Sequence, residues 1–255
     1  MRLGVIGVGH LAGTMLAGLA RAGGAEFDPG AILLSPRGHG TELAAQGGYG
    51  LATDNADLVR RSDLVLLAVR PAGAEAAVEG LPWRAGQVLI SACAGVGLDR
   101  LAPLVGQAVV ARIMPVTAAA IGKSPTLLHP ELPQVADLLR ALGPVIPIRS
   151  EPEFEVATVS AAVYGWAQVM VRQTADWAEA QGLPPDTARA LVARTFEAAG
   201  ALIAESPQEM DVMLRELITP GGITERGLQV LSEGGLAPLW EDACVAVLTK
   251  LRGQG

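Results

Sequence analysis

The chain has 255 residues, a formal charge of −7, 50% hydrophobic residues and 18% charged residues. It is long enough for one large or two smaller domains without a metal or disulfide staple, and too apolar to be disordered. An acidic chain without a basic run excludes nucleic acid as the main partner.

The low charged share implies more buried surface than a monomer requires, and so an oligomer. Cys93 and Cys244 lie far apart in apolar segments. They read as reduced core residues of a cytoplasmic protein, since a disulfide framework needs closely set pairs. The opening Met1-Arg2-Leu3-Gly4-Val5-Ile6-Gly7 turns glycine-rich too soon for a signal peptide. The 16 uncharged residues Val156–Val171 fall short of the roughly 20 a membrane span needs. They read as a helix buried at an interface.

In chain order, apolar runs suggest strands at Leu3–Gly7, Ala31–Ser35, Leu64–Val69, Gln87–Ala92 and Ala108–Ile113. Stretches of helical length such as Leu11–Ala22, Ala72–Glu79 and Leu98–Val105 separate them. Continuous apolar runs suit strands covered on both faces, and the alternation implies a doubly wound, mostly parallel sheet. Shorter strands at Pro125–His129 and Val145–Ile148 flank a helix Leu132–Leu142. No strand is expected from Glu151 to Gly255, where helices are punctuated by Gly182-Leu183-Pro184-Pro185, Ser206-Pro207, Thr219-Pro220-Gly221-Gly222 and Gly234-Gly235. Pro185 and Pro207 suit first helical turns. The chain therefore divides into an α/β domain over 1–150 and an all-helical domain over 151–255.

The first strand runs into Gly7-Val8-Gly9-His10-Leu11-Ala12. This fits G-x-G-x-x-G/A in strand–turn–helix context, the dinucleotide signature of a Rossmann fold. Gly7 makes the turn, Gly9 admits a pyrophosphate, and Ala12 lets helix and strand pack closely. The helix start, with His10 and Leu11, attracts the phosphates. Where an NAD site places an acid, the second strand ends Leu33-Leu34-Ser35-Pro36-Arg37-Gly38-His39. A hydroxyl (Ser35) and a guanidinium (Arg37) suit a 2′-phosphate, so NADP(H) is expected in preference to NAD(H). Asn55, Ala68-Val69-Arg70-Pro71 and Ala92, Ala94 and Gly95 are further cofactor candidates, mostly in loops after strands. No metal site is expected, because His10, His39 and His129 lie in separate segments. Neither a G-x-S-x-G elbow nor a G-x-x-x-x-G-K-[ST] loop occurs, which excludes the corresponding hydrolase and ATPase readings.

Four blocks make the chain resemble the pyrroline-5-carboxylate reductase family. They are Gly7–Ala12, Ala68–Pro71, Ala111-Arg112-Ile113-Met114-Pro115-Val116-Thr117, and Leu217-Ile218-Thr219-Pro220-Gly221-Gly222-Ile223-Thr224. The resemblance implies a Rossmann domain followed by an all-α dimerisation domain, assembled as a homodimer or multiple of dimers. It implies NAD(P)H-dependent reduction of a small cyclic imine, pyrroline-5-carboxylate to proline in the family, without a metal. It implies that Thr219, Gly221, Gly222 and Thr224 hold the substrate carboxylate at a helix start, with Thr224 facing the substrate nitrogen. Two departures follow from the same comparison. The family's M-P-N-T-P reads Met114-Pro115-Val116-Thr117-Ala118, and its S-G-S-G-P reads Ala161-Ala162-Val163-Tyr164-Gly165. Tyr164, in place of a glycine, either orients or protonates a substrate or packs a helix. Two other readings stay open: a catalytically altered NADP-binding regulatory protein, and an oxidoreductase of another small substrate on the same scaffold. A 3-hydroxy acid dehydrogenase is disfavoured, since no lysine lies between Lys123 and Lys250.

Overall fold

The structure is a computed structural model that describes residues 1–24 and 27–253. It divides into two compact units: Met1–Ala161 together with the C-terminal segment from Leu248, and Ala162–Val247. The first unit is built on an eight-stranded sheet of order β3-β2-β1-β4-β5-β6-β7-β8. The strands are β1 Leu3–Ile6, β2 Ile32–Leu34, β3 Gly50–Leu51, β4 Leu64–Leu67, β5 Val88–Ser91, β6 Val109–Met114, β7 Thr126–His129 and β8 Val145–Pro147. Every pairing is parallel except β6 with β7. The exception has a local cause. Only Pro115–Pro125 joins those two strands, and a parallel crossover needs a dozen or more residues.

Helices α1 His10–Gly23, α2 Gly40–Gly47, α3 Asn55–Arg61, α4 Ala74–Val78, α5 Leu98–Leu101 and α6 Pro133–Arg140 connect the strands. Alternate strand residues feed two separate cores. Leu3, Val5, Leu64, Leu66, Val88 and Ile90 pack with Met15, Leu16 and Leu139 on one face. Ile6, Val65, Leu67 and Leu89 pack with Leu58, Val59 and Val105 on the other. Burial on both faces explains why these strands read as continuous apolar runs rather than alternating ones.

All seven expected strands are present, within a few residues at their ends. The two-residue β3 was not anticipated. The stretch Leu98–Val105 is a single α turn followed by a 3-10 turn at Ala102–Leu104, where Pro103 lacks the N–H that would continue the helix. Pro207 is not a first-turn residue, since the next helix begins at Met210.

Beyond the sheet the chain is helical: α7 Glu151–Ala180, α8 Pro185–Glu205, α9 Met210–Leu217, α10 Ile223–Glu233 and α11 Leu236–Leu251. The unit boundary falls at 161 rather than 150, because the first turns of α7 pack with the sheet. Phe154 is wholly buried beside Met114 and Leu127. Arg112 of β6, itself buried, pairs with Glu151 at 2.8 Å and Glu155 at 2.6 Å and lies 4.4 Å from the Phe154 ring centroid.

In the second unit only Ala175, Ala188 and Val192 are buried among the described residues. The Trp166 and Trp240 rings meet edge to face at 5.4 Å. Meanwhile Leu202, Leu217, Ile223 and Leu239 are each more than 60% exposed. The expectation that Val156–Val171 is a buried helix is not met within one chain: Val156 and Val169 are exposed. Nor is that stretch the whole element. Charged residues extend it to 30 residues, which by length and composition alone is apolar enough to cross a membrane. No group of three or more metal-ligating side chains is placed to hold an ion among the described residues.

Candidate functional site

Strand order reverses across β1, since β2 and β4 flank it, and open α/β sheets bind ligands at that switch point beyond the strand ends. The glycine turn lies there. Gly7 has φ of 91°, and a Cβ on it would sit 2.6 Å from Val69 Cγ1 and 2.8 Å from the Val69 nitrogen. Only glycine lets β1 turn against the β4 loop. Gly9 is different: a Cβ there would meet nothing within 4 Å. It is the N-cap of α1, no side chain caps the helix, and no acid occupies its first turn. The Gly9 N–H is taken by the Gly7 carbonyl at 3.1 Å, which leaves the first-turn N–H groups of His10, Leu11 and Ala12 without an intrahelical partner. Ala12 is completely buried, Leu11 is half-buried, and His10 is exposed at the first helical position.

Ser35 is nearly wholly enclosed and its Oγ accepts the Gly7 N–H at 3.3 Å. It braces the turn from behind. The backbone behind it clasps the same turn, with the His39 N–H donating to the Val8 carbonyl at 3.2 Å. Arg37 is exposed and forms no ion pair among the described residues. It stands on the rim of a cleft of about 370 Å³ with Pro36, Thr53, Asp54, Asn55 and Ala77. Asn55, the first residue of α3, donates from its amide to the Ala77 carbonyl at 3.3 Å and so spans that cleft's wall. A guanidinium without a carboxylate partner, beside an uncapped helix start, fits the phosphates of a dinucleotide.

The remaining loops line up after their strands. Ala68 and Val69 are half-buried against Gly7, and Arg70 and Pro71 are exposed. Ala92 is buried and Ala94 half-buried after β5. Gly95 has a packing reason of its own: a Cβ there would lie 2.9 Å from the Leu251 carbonyl at the end of α11. Between Ala92 and Ala94, Cys93 is buried with its Sγ 3.4 Å from the Val69 carbonyl, and burial pushes the thiol pKa up. Val116 is buried and its N–H donates to Ser124 Oγ at 2.9 Å.

In the helical unit, Thr219-Pro220-Gly221-Gly222 leads into α10. Gly222 is the N-cap and its N–H donates to the Thr219 carbonyl at 2.8 Å. Thr224 is half-buried in the first turn, and Thr219 is exposed. Gly221 and Gly222 line a cleft of about 490 Å³ with Glu225, Arg226 and Gln229. The sequence reading missed Glu225, whose carboxylate accepts the Gly221 N–H at 2.6 Å. A glutamate at the third helical position is a recognisable capping signal. Tyr164 is half-buried on α7, two residues before the Trp166–Trp240 pair.

Comparisons with known proteins find relatives for both parts of the chain. A family model described as pyrroline-5-carboxylate reductase dimerisation matches residues 153–253. A second, described as NADP oxidoreductase coenzyme F420-dependent, matches residues 2–95. A pyrroline-5-carboxylate reductase of Glycine max is 25% identical over 98% of this chain and 94% of its own length. Pyrroline-5-carboxylate reductase 1 of Bacillus spizizenii is 28% identical over 92% of this chain and 82% of its own length. The solved 1-pyrroline-5-carboxylate reductase of Streptococcus pyogenes superposes with a TM-score of 0.86 at 28% identity, over 99% of this chain and 98% of that one. The chain is thus an oxidoreductase of the nicotinamide-cofactor class, similar over nearly its whole length to pyrroline-5-carboxylate reductases, and its helical part matches that family's oligomer-forming dimerisation domain.

Proposed function

We propose that this protein reduces a cyclic imine with NADPH, either pyrroline-5-carboxylate to proline or a related imine, as a homodimer or a multiple of dimers. One observation carries the reading: the open cradle above Gly9 lies in a chain that also holds a Pro-Gly-Gly helix start followed by Thr224. The names of the full-length relatives support the reaction class.

In this reading the α/β domain holds the cofactor and the helical domain holds the substrate. Gly7, Gly9, His10, Leu11 and Ala12 cradle the diphosphate, and Arg37 takes the 2′-phosphate, with Ser35 bracing the turn. Asn55, Ala68–Pro71, Ala92, Ala94 and Gly95 frame the nucleoside and nicotinamide. When bound, the cofactor supplies a hydride to the imine carbon. The chain's own side chains orient the imine and attend to its nitrogen: the Thr224 hydroxyl as donor or acceptor and the Tyr164 hydroxyl as a proton source.

Loss of NADPH absorbance with a panel of cyclic imines tests the activity, and no turnover with any of them refutes it. Arg37→Ala separately tests the cofactor assignment. It is expected to weaken NADPH by about 1.5–3 kcal/mol, the range for hydrogen bonds to charged groups, while leaving NADH unchanged. An equal loss for both cofactors refutes the role of Arg37.

A further inference from the structure

The loop that follows β5, Ala92–Gly97, is tied at both ends by groups outside it. At its start the Ala92 N–H donates to the Leu67 carbonyl at 2.9 Å, and Cys93 Sγ lies 3.4 Å from the Val69 carbonyl of the neighbouring loop. Its end is held by a carboxylate from 53 residues further along the chain: Glu151 Oε2 accepts the Leu98 N–H at 3.2 Å. A Cβ on Gly97 would come within 3.2 Å of the same oxygen, so glycine there admits the carboxylate against the backbone. Between these ties Ala94 and Gly95 are half-buried rather than enclosed.

Glu151 is itself anchored. Its Oε2 also accepts from Nη1 of the buried Arg112 at 2.8 Å. A guanidinium offers its donors in a rigid planar fork, and burial removes water as a competing partner. Glu155, one turn further along α7, pairs with the other arm of the fork, Nη2, at 2.6 Å. Two carboxylates thus share one buried cation, and Glu151 is the one that also takes the Leu98 N–H.

We propose that Glu151 is a positioning residue for hydride transfer. Anchored on Arg112, it fixes the end of the Ala92–Gly97 loop, and with it the backbone wall at Ala94 and Gly95 on which the nicotinamide lies. The proposal rests on the cofactor placement in the reading above and adds a residue that acts through the loop. Releasing the loop end lets that wall shift, and a displacement of about 1 Å at a reacting group can cost about 100-fold in rate. The adenosine half of the cofactor is held at Gly9 and Arg37, so it should not feel the change.

The test compares NADPH with adenosine 2′,5′-bisphosphate, which lacks the nicotinamide, by calorimetry on full-length protein. Glu151→Ala is expected to weaken NADPH about tenfold, the scale of one hydrogen bond to a charged group, and to leave the bisphosphate within about twofold. Leu98→Pro removes the N–H at the first position of α5, where a helix tolerates proline, and leaves the Arg112 pair intact. It is expected to give the same selective loss, whereas Leu98→Ala, which keeps the N–H, is not. Glu155→Ala breaks the other half of the ion pair and is expected to lower the melting temperature without moving the ratio of the two affinities. In turnover with a cyclic imine, kcat in Glu151→Ala should fall by up to about 100-fold while KM for the imine moves less. If Glu151→Ala and Glu155→Ala lose stability alike and neither moves the ratio, Glu151 is a structural anchor only and the proposal is overturned. Equal weakening of both probes overturns it too, as does an unmodified chain that binds neither. Should Glu151→Ala not fold, Leu98→Pro decides. If no imine is reduced yet Glu151→Ala and Leu98→Pro weaken NADPH alone, the imine-reducing reading fails while the role of Glu151 stands. If imines are reduced and both the ratio and kcat are insensitive to residue 151, the reverse holds.

Discussion

Gly7 and Gly9 sit two residues apart and do opposite things. Gly7 is held by the protein: its φ is 91° and its missing Cβ is the space that Val69 fills. Gly7→Ala is expected to cost about 1–3 kcal/mol from backbone strain alone, read as a lower urea midpoint at unchanged slope. Gly9 has an ordinary φ of −110°, and a Cβ on it would meet nothing within 4 Å. Gly9→Ala should therefore change stability by no more than about 1 kcal/mol, the scale of an N-cap substitution, while weakening NADPH binding by crowding the helix start. Equal stability losses in the two variants would contradict the assignment of Gly9 to a ligand. Both glycines were legible in the sequence because their spacing after a buried strand is local information. The bracing of Gly7 by Ser35 was not, since 28 residues separate the two.

At the scale of elements, two contacts tie helices down by charge. Arg112 brings a buried guanidinium from β6 to the first turns of α7, where Glu151 also accepts the Leu98 N–H at 3.2 Å. Arg112→Ala would strand two carboxylates and is expected to cost about 3–5 kcal/mol in denaturant unfolding. Arg112→Met combined with Glu155→Leu should recover part of that loss, because a packed apolar pair avoids the unpaired charge. Helix α3 offers a pH-dependent case. The Thr53 N–H, opposed by desolvation and aided by Arg61 and Arg60, holds the Asp57 carboxyl below its usual pKa of 3.8. The native state thus binds this proton less readily than the unfolded chain. The stabilisation is complete above the unfolded carboxylate pKa, near 3.9, and fades as pH falls through the lower native value. Asp57→Asn should accordingly lower the urea midpoint at pH 7 more than at pH 3. A loss of equal size at both values would show that the charge is not what Asp57 contributes.

For the whole molecule, the division of labour between the units appears in their burial. The sheet unit closes two cores of its own, whereas the helical unit leaves Leu202, Leu217, Ile223 and Leu239 open in a single chain. Apolar surface on that scale marks an association face, and the dimerisation model that matches residues 153–253 accounts for it. Sedimentation at micromolar concentration is expected to give a dimer or a multiple of dimers. A clean 26.2 kDa monomer would rule out the proposed homodimer.

The sequence by itself determined the β/α alternation, the glycine turn after the first strand, and the change to helices near 150, because each is written in contiguous residues as a period or a motif. It also carried the signal for Glu225, a glutamate three residues after a Gly-Gly helix start. Only the tertiary structure decided which residues of these loops also hold the fold together. Gly95 is small because the Leu251 carbonyl approaches it, and Ser35 is enclosed because the Gly7 N–H needs an acceptor. Arg112 is buried because two glutamates far along the chain come to meet it. The two-residue β3 and the boundary at 161 likewise depend on neighbours brought together by folding. A strand that short has no period to read, and the place where a continuous helix leaves one core is set by what packs against it.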